Sequence, residues 1–252
     1  MARARTALQA IGGGVQTTTQ QKDYAKKQEQ AYTQYFRRYE LMIEFINLRN
    51  PHHCPRGIYV MPSSDNIDVW YGTVFVHKGY YADAVFKFRI TVPEFYPVAA
   101  PIVHFLSDIY HPLVDTDRQL DLSPRFPEWK PKRDYIFHVL QYMSAIFRRR
   151  TLDSLDEEAC PNKEAIHLYK HDPHVFSKLA QQCAGLSVQD NVVYDNYPEN
   201  NCIRFTRMSD KKFEEIKKYI FESHEEGGEI DMEKVLSNFK QLTTNINKLT
   251  EK

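Results

Sequence analysis

Between Gln30 and Asn50 the apolar residues Tyr35, Phe36, Tyr39, Met42, Ile43 and Ile46 recur at three- and four-residue steps. That spacing predicts an amphipathic helix with a wide buried face. "NPHHCPRG" ends it, because Pro51 does not continue a helix comfortably and Gly57 opens a new segment. Four strand-like segments follow: "GIYVMP", "IDVWYGTVFV", "AVFKFRITVP" and "PIVHFL". In the third, Phe86, Phe88, Ile90 and Val92 alternate with Val85, Lys87, Arg89 and Thr91, the period of a sheet with at least one covered face. Short, turn-like connectors make neighbouring strands antiparallel. "PEFYPVAAP" then reads as a rigid extended loop.

A second helix is predicted from Tyr135, Ile136, Val139, Leu140, Met143, Ile146 and Phe147, with Asp134 as its N-cap and "RRR" at its C-terminal end. Asn162 caps a third through "KEAIHLYKHD", and helical pattern returns from Pro173 to Ala184. Helix, four-strand meander, loop and helices in that order form an α+β arrangement with the helices on one side of an antiparallel sheet. "QDNVVYDNYPENNCIRFT" is a polar crossing, and two further helical patterns flank Gly227-Gly228. In the last, Met232, Val235, Phe239, Leu242, Ile246 and Leu249 keep the alternating three- and four-residue steps of a coiled-coil seam. That stripe is short, and both the chain's own surface and a partner helix remain open as what it packs on.

Composition narrows the picture without setting it. The 252 residues allow one sizeable core with appendages. Lys plus Arg equals Asp plus Glu at 33 each, so no overall field favours nucleic acid or an anionic membrane. Sixteen tyrosines and fifteen phenylalanines against nine glycines predict a core of large rings. Cys54, Cys160, Cys183 and Cys202 form no CxxC pair, which suits reduced thiols in the cytoplasm. No apolar run has the length of a membrane span. The first residues carry two arginines without an apolar signal core, and they read as a polar arm rather than a transit peptide.

"HPLVDTDRQLDLSPRFPEW", from His111 to Trp129, is the candidate chemical segment. Asp115, Asp117 and Asp121 lack the glycine turn and terminal Glu of a calcium loop. His52-His53-Cys54 lacks a second ligand pair at zinc spacing. Cys160 has acidic neighbours in "DEEACPNKEA", which raise a thiol pKa. No metal site or cofactor is expected from these residues.

The sheet, Pro93, Tyr96 and Pro97 as Pro-x-x-Tyr-Pro, Pro101 before the fourth strand, the His111-Pro112 turn and Trp129 together resemble the ubiquitin-conjugating-enzyme fold, over about Tyr35 to Gly185. In that family a His-Pro-Asn turn is followed ten residues later by the nucleophilic cysteine, and eight further on by tryptophan. Here Leu113 stands at the asparagine position and Asp121 at the cysteine position, with Trp129 in frame. The resemblance implies a vestigial site. Thioester formation needs a thiolate, and the missing amide donor alone is worth roughly 10²–10³ in rate. His111 is expected to make structural hydrogen bonds.

"GIYVMPSSDNIDVWYGTVFVHKGYYADAVFKFRITVPEFYP", "HPLVDTDRQLDL" and "EAIHLYKHDPHVF" are similar to the Fused toes (Akt-interacting protein) family, which has aspartate at the cysteine position. The tail from "CIRF" also resembles that family's C-terminal extension, while its long Pro/Ser-rich arm is not matched. The resemblance implies three parts: a flexible arm over 1–28, a ubiquitin-conjugating-like domain over 29–186 and an extension with amphipathic helices over 187–252. It implies a non-catalytic adaptor that joins a Hook-family coiled-coil protein and a Hook-interacting protein, and that binds the kinase Akt. Such an adaptor links endosomal or other vesicular cargo to dynein on microtubules, in the cytoplasm at the periphery of vesicles. Val235, Phe239, Leu242, Ile246 and Leu249 are the candidate partner-binding residues. The alternatives are a ubiquitin-binding or ubiquitination-cofactor module, and a conjugating enzyme that uses another cysteine.

Overall fold

The computed structural model describes residues 35–194 and 197–225. Through Phe205 they belong to one compact unit, and from Thr206 to a second that contains helix α7 (Asp210–Glu225). In the first unit, helix α1 (35–47) precedes strands β1 (Ile58–Pro62), β2 (Val69–Val76), β3 (Ala84–Thr91) and β4 (Ile102–Phe105). The strands form one antiparallel meander in the order β1-β2-β3-β4. Helices α2 (Ile136–Ile146), α3 (Arg149–Asp153), α4 (Lys163–His171), α5 (Pro173–Ser187) and α6 (Asp190–Val193) follow. The α+β arrangement expected from the sequence is the one observed.

Register explains which side of the sheet is core. Trp70 pairs with Ile90, Gly72 with Phe88 and Val74 with Phe86, so these side chains share one face with Ile58, Val103 and Phe105. All of them except the glycine join the core cluster with Ile136, Val139, Leu140, Met143 and Ile146 of α2. Tyr81 meets Phe147 at 5.4 Å and Phe86 meets Phe105 at 6.3 Å edge to face, while Phe86 stacks on Phe147 at 5.7 Å. Gly72 makes room for them: a Cβ there would lie 2.2 Å from the Phe88 ring.

Over β2 and β3 the opposite face is also covered, by a strap of the chain's own making, while Tyr59 and Met61 of β1 stay exposed. Ser187 accepts the Val85 N–H at 3.0 Å, and the Lys87 ammonium donates to the Val192 carbonyl while lying 3.7 Å over the Tyr197 ring. Further on, Asn200 accepts from the Tyr71 hydroxyl at 3.0 Å and donates to Asp65, and Phe205 sets its ring edge-on to Phe75. The strap therefore crosses β3, β2 and the β1–β2 turn in succession. It explains how Lys87 and Thr73, on an outward-facing register, are buried.

Two boundaries differ from those the pattern predicts. The N-cap of α2 is Tyr135, because the Asp134 carboxylate turns back to accept the Lys130 N–H at 2.8 Å. The first N–H of α2 donates instead to Glu44 of α1, at 2.9 Å. The "RRR" run does not close α2, which ends at Ile146; Arg149 and Arg150 open α3. Asn162 does cap α4, accepting the Ala165 N–H at 3.0 Å.

The larger correction concerns α1. Tyr35, Phe36, Tyr39, Met42, Ile43 and Ile46, expected against the core, are all exposed. The inward face is Arg37, Leu41, Glu44, Phe45 and Leu48, also at helical spacing. Its polar members have fixed partners: Arg37 donates to the carbonyl of Pro93 at 2.8 Å and pairs with Asp68 at 2.8 Å. Glu44 accepts from the Tyr96 hydroxyl as well as from α2. Paired in this way, a charged face can be buried while a more apolar one is left in solvent.

Candidate functional site

In the loop from His111 to Trp129, the polar groups of His111, Asp121 and Trp129 are engaged within the loop or by residues that pack on it. His111 is fully buried, between Tyr81 and Phe147. Its Nδ1 accepts the Leu113 N–H at 3.0 Å, which leaves the proton on Nε2, donated to the Ile146 carbonyl at 3.1 Å. Burial pushes its pKa down to about 4. A neutral imidazole with both nitrogens committed holds the turn and has no free site for proton transfer.

Leu113 is fully buried in the core and has no side-chain donor to offer an oxyanion. The Asp121 N–H donates to the Leu113 carbonyl at 2.8 Å, and the Tyr142 hydroxyl donates to the Asp121 carbonyl at 3.2 Å. The Asp121 carboxylate accepts the N–H and the hydroxyl of Ser123, both at 2.9 Å. That is a side-chain-closed turn. Trp129 donates its indole N–H to the Pro97 carbonyl at 2.9 Å and packs on Tyr96 and Phe126. The frame of the loop is thus built and filled.

The remaining candidate ligands and thiols are also placed. Asp115 accepts the Gln119 N–H at 2.8 Å, and with Asp117 and Asp121 it forms no metal-ligand group among the described residues. His53 stacks on Phe137 at 4.2 Å and Cys54 donates to the Ile58 carbonyl. Cys160 is buried beside a cavity of about 510 Å³ that Ser123, Arg125 and Tyr142 also line. Its thiol pKa is raised, first by burial and only then, against Lys163, by Asp121; the acidic neighbours are the lesser cause.

Large apolar area is open elsewhere in the same unit. On α1, Tyr35, Tyr39, Met42 and Ile46 follow steps of four, three and four, with Ile43 beside them; Tyr39 is 57% and Ile46 54% exposed. Ile46 continues into a groove of about 890 Å³ around the edge strand β1, lined by Phe45, Ile58, Met61, Phe75 and Phe205. The sequence assigned this stripe to the core and so missed it as a surface. Val235, Phe239, Leu242, Ile246 and Leu249 lie outside the described residues. Among the described residues no helix is long and apolar enough to cross a membrane.

Residues 40–184 match the family model described as ubiquitin-conjugating enzyme. A protein of Nematostella vectensis named "Protein AKTIP homolog" is 32% identical over 206 residues, 78% of this chain and 64% of that protein. The "Protein crossbronx homolog" of Anopheles gambiae is 33% identical over 68% of this chain and 75% of its own length. The "AKT-interacting protein" of Rattus norvegicus is 33% identical over 58% of this chain and 48% of its own length. The chain thus spans about half to two thirds of the length of the first and third of these relatives.

Proposed function

This chain belongs to the ubiquitin-conjugating-enzyme family, in its AKT-interacting protein and crossbronx (Fused toes) branch, and we propose that it serves as a non-catalytic adaptor. Its partners in this reading are a Hook-family coiled-coil protein and a Hook-interacting protein. The assembly links vesicular cargo to dynein on microtubules, at the cytoplasmic periphery of endosomes. The name of the rat relative extends the reading to the kinase Akt.

The observation that carries it is the open stripe Tyr35, Tyr39, Met42, Ile46 on α1. Steps of four, three and four are the seam spacing that accepts knobs from a second helix, which is the shape a coiled-coil partner presents. The loop supports the same reading, since Asp121 and Leu113 supply neither thiolate nor amide donor.

A pull-down with a Hook coiled-coil segment tests it, comparing the full chain with Tyr39→Asp/Ile43→Asp and with a chain lacking 229–252. Loss of binding in the double variant is expected; equal binding by all three chains would remove the adaptor reading. A charging reaction with activating enzyme, ATP and ubiquitin is expected to give no reducible adduct. An adduct that Cys160→Ala abolishes would make the protein an enzyme instead. The ubiquitin-binding alternative is separated by titration of labelled ubiquitin, where a shift at micromolar concentration would favour it.

A further inference from the structure

Away from the loop and from α1, two histidines and a glutamate converge on one point. His167 and His171 lie four residues apart on one face of α4, with ring centroids 4.5 Å apart. Glu157, from the turn that precedes the helix, reaches both: its Oε1 is 3.0 Å from His167 Nδ1 and its Oε2 is 3.6 Å from His171 Nε2. The three ligand atoms all lie within 4.8 Å of one another.

From this geometry we propose that Glu157, His167 and His171 form a binding site for a divalent metal ion of the zinc class. Two imidazole nitrogens and one carboxylate oxygen are a ligand set that zinc accepts, with a fourth position left to water. Bonds of about 2.0–2.2 Å in a tetrahedron put neighbouring ligand atoms roughly 3.3 Å apart. His167 Nδ1 lies 3.0 Å from one Glu157 oxygen and His171 Nε2 3.6 Å from the other, and the ligand atoms of all three residues lie within 4.8 Å, a span that side-chain rotation closes onto one ion. Both histidines are more than half exposed, which leaves an entry path and room for the water.

The surroundings hold the third ligand in place. Lys163 donates to the carbonyls of Glu157 and Glu158, and the Glu157 carboxyl pKa is lowered, first by its hydrogen bond to His167 and then by His171, His167 and Lys170. Metal binding takes the imidazoles neutral and the carboxyl ionised. Lys163 and Lys170, both on α4, are nearby cations that oppose the ion. Glu157 sits in the segment that also carries Cys160 and whose Asn162 N–H donates to the Pro112 carbonyl at 3.2 Å. A bound ion would staple the wall of the retained loop to α4.

The test uses the full chain stripped with EDTA and titrated with Zn²⁺ against a chromophoric chelator at pH 7.5. One equivalent is expected to bind with micromolar or tighter affinity and to raise the melting temperature. His167→Ala and His171→Ala are each expected to weaken binding by more than the roughly 10–100-fold that loss of a supporting hydrogen bond causes, and Glu157→Gln is expected to weaken it as well. All three positions are at the surface, so unchanged melting without metal shows that the variants fold. Absence of stoichiometric binding overturns the proposal, as does binding that survives in the His167→Ala/His171→Ala double variant. In the latter case His52, His53 and Cys54 become the site to test.

Discussion

In the loop from His111 to Trp129 the polar groups have partners within the loop and on the core beside it, whereas on α1 large apolar side chains stand in water. His111 satisfies Leu113 and Ile146, Asp121 satisfies Ser123, and Trp129 satisfies Pro97. On α1, Tyr39, Met42, Ile43 and Ile46 are exposed while charged Arg37 and Glu44 face inward. Satisfied polar groups and open apolar area are thereby separated in space. The segment that resembles an active site contributes to holding the fold, and the open apolar area lies on α1, away from that segment's residues.

That separation can be broken by experiment. The largest effect is expected from His111→Ala, which opens a cavity and strands the Leu113 N–H and the Ile146 carbonyl. A loss of about 4 kcal/mol is expected from the cavity and the two unmet groups together. A denaturant midpoint unchanged by the substitution would show that the loop is not structural.

Acid gives the next effect. The folded-state pKa of His111, about 4, lies below the 6.5 of a free imidazole, so between these values the unfolded chain binds the extra proton. Its contribution is present above pH 6.5 and lost as pH falls to about 4, by about 3 kcal/mol. Denaturation curves at stepped pH should show the slope, and His111→Gln should flatten it.

Smaller still is Asp121→Ala, which opens the turn closed by Ser123. It is expected to cost about 1 kcal/mol and to leave the charging reaction as it was, without adduct. The smallest stability effect belongs to Tyr39→Asp/Ile43→Asp, expected within about 0.5 kcal/mol because both positions are exposed. If that pair destabilised the chain more than Asp121→Ala, α1 would be part of the core after all, and the contrast would fail.

What could be read in the sequence follows the range of the forces involved. The alternation of Phe86, Phe88 and Ile90 and the short connectors between strands are local, and the strands and their antiparallel order follow from them. The Asn162 cap is equally local. The inward face of α1 was not legible, because the half-buried Arg37 and Glu44 are held there by partners 56 and 92 positions away, at Pro93 and Ile136. Hydrophobic periodicity finds that a helix has faces; it does not say which one the rest of the chain will satisfy. In the loop, the frame of His111, Pro112 and Trp129 was visible and the filling was not, since Tyr81, Pro97 and Tyr142 supply it from elsewhere. The Glu157 cluster left a trace in "HLYKH", whose histidines share a helix face, but its carboxylate comes from the preceding turn.

The strap across the outer face of the sheet has a consequence for how the chain comes into being. Likeness to the ubiquitin-conjugating-enzyme family stops at residue 184, yet Ser187, Val192, Tyr197, Asn200 and Phe205 still have places to fill on β3, β2 and the β1–β2 turn. On the ribosome the four strands emerge well before these residues, so for a time Lys87, Tyr71 and Phe75 face water or a chaperone rather than their final neighbours. The compact unit, which runs to Phe205, is therefore longer than the stretch that matches the family, and its last twenty or so residues close over the sheet after the strands have been made.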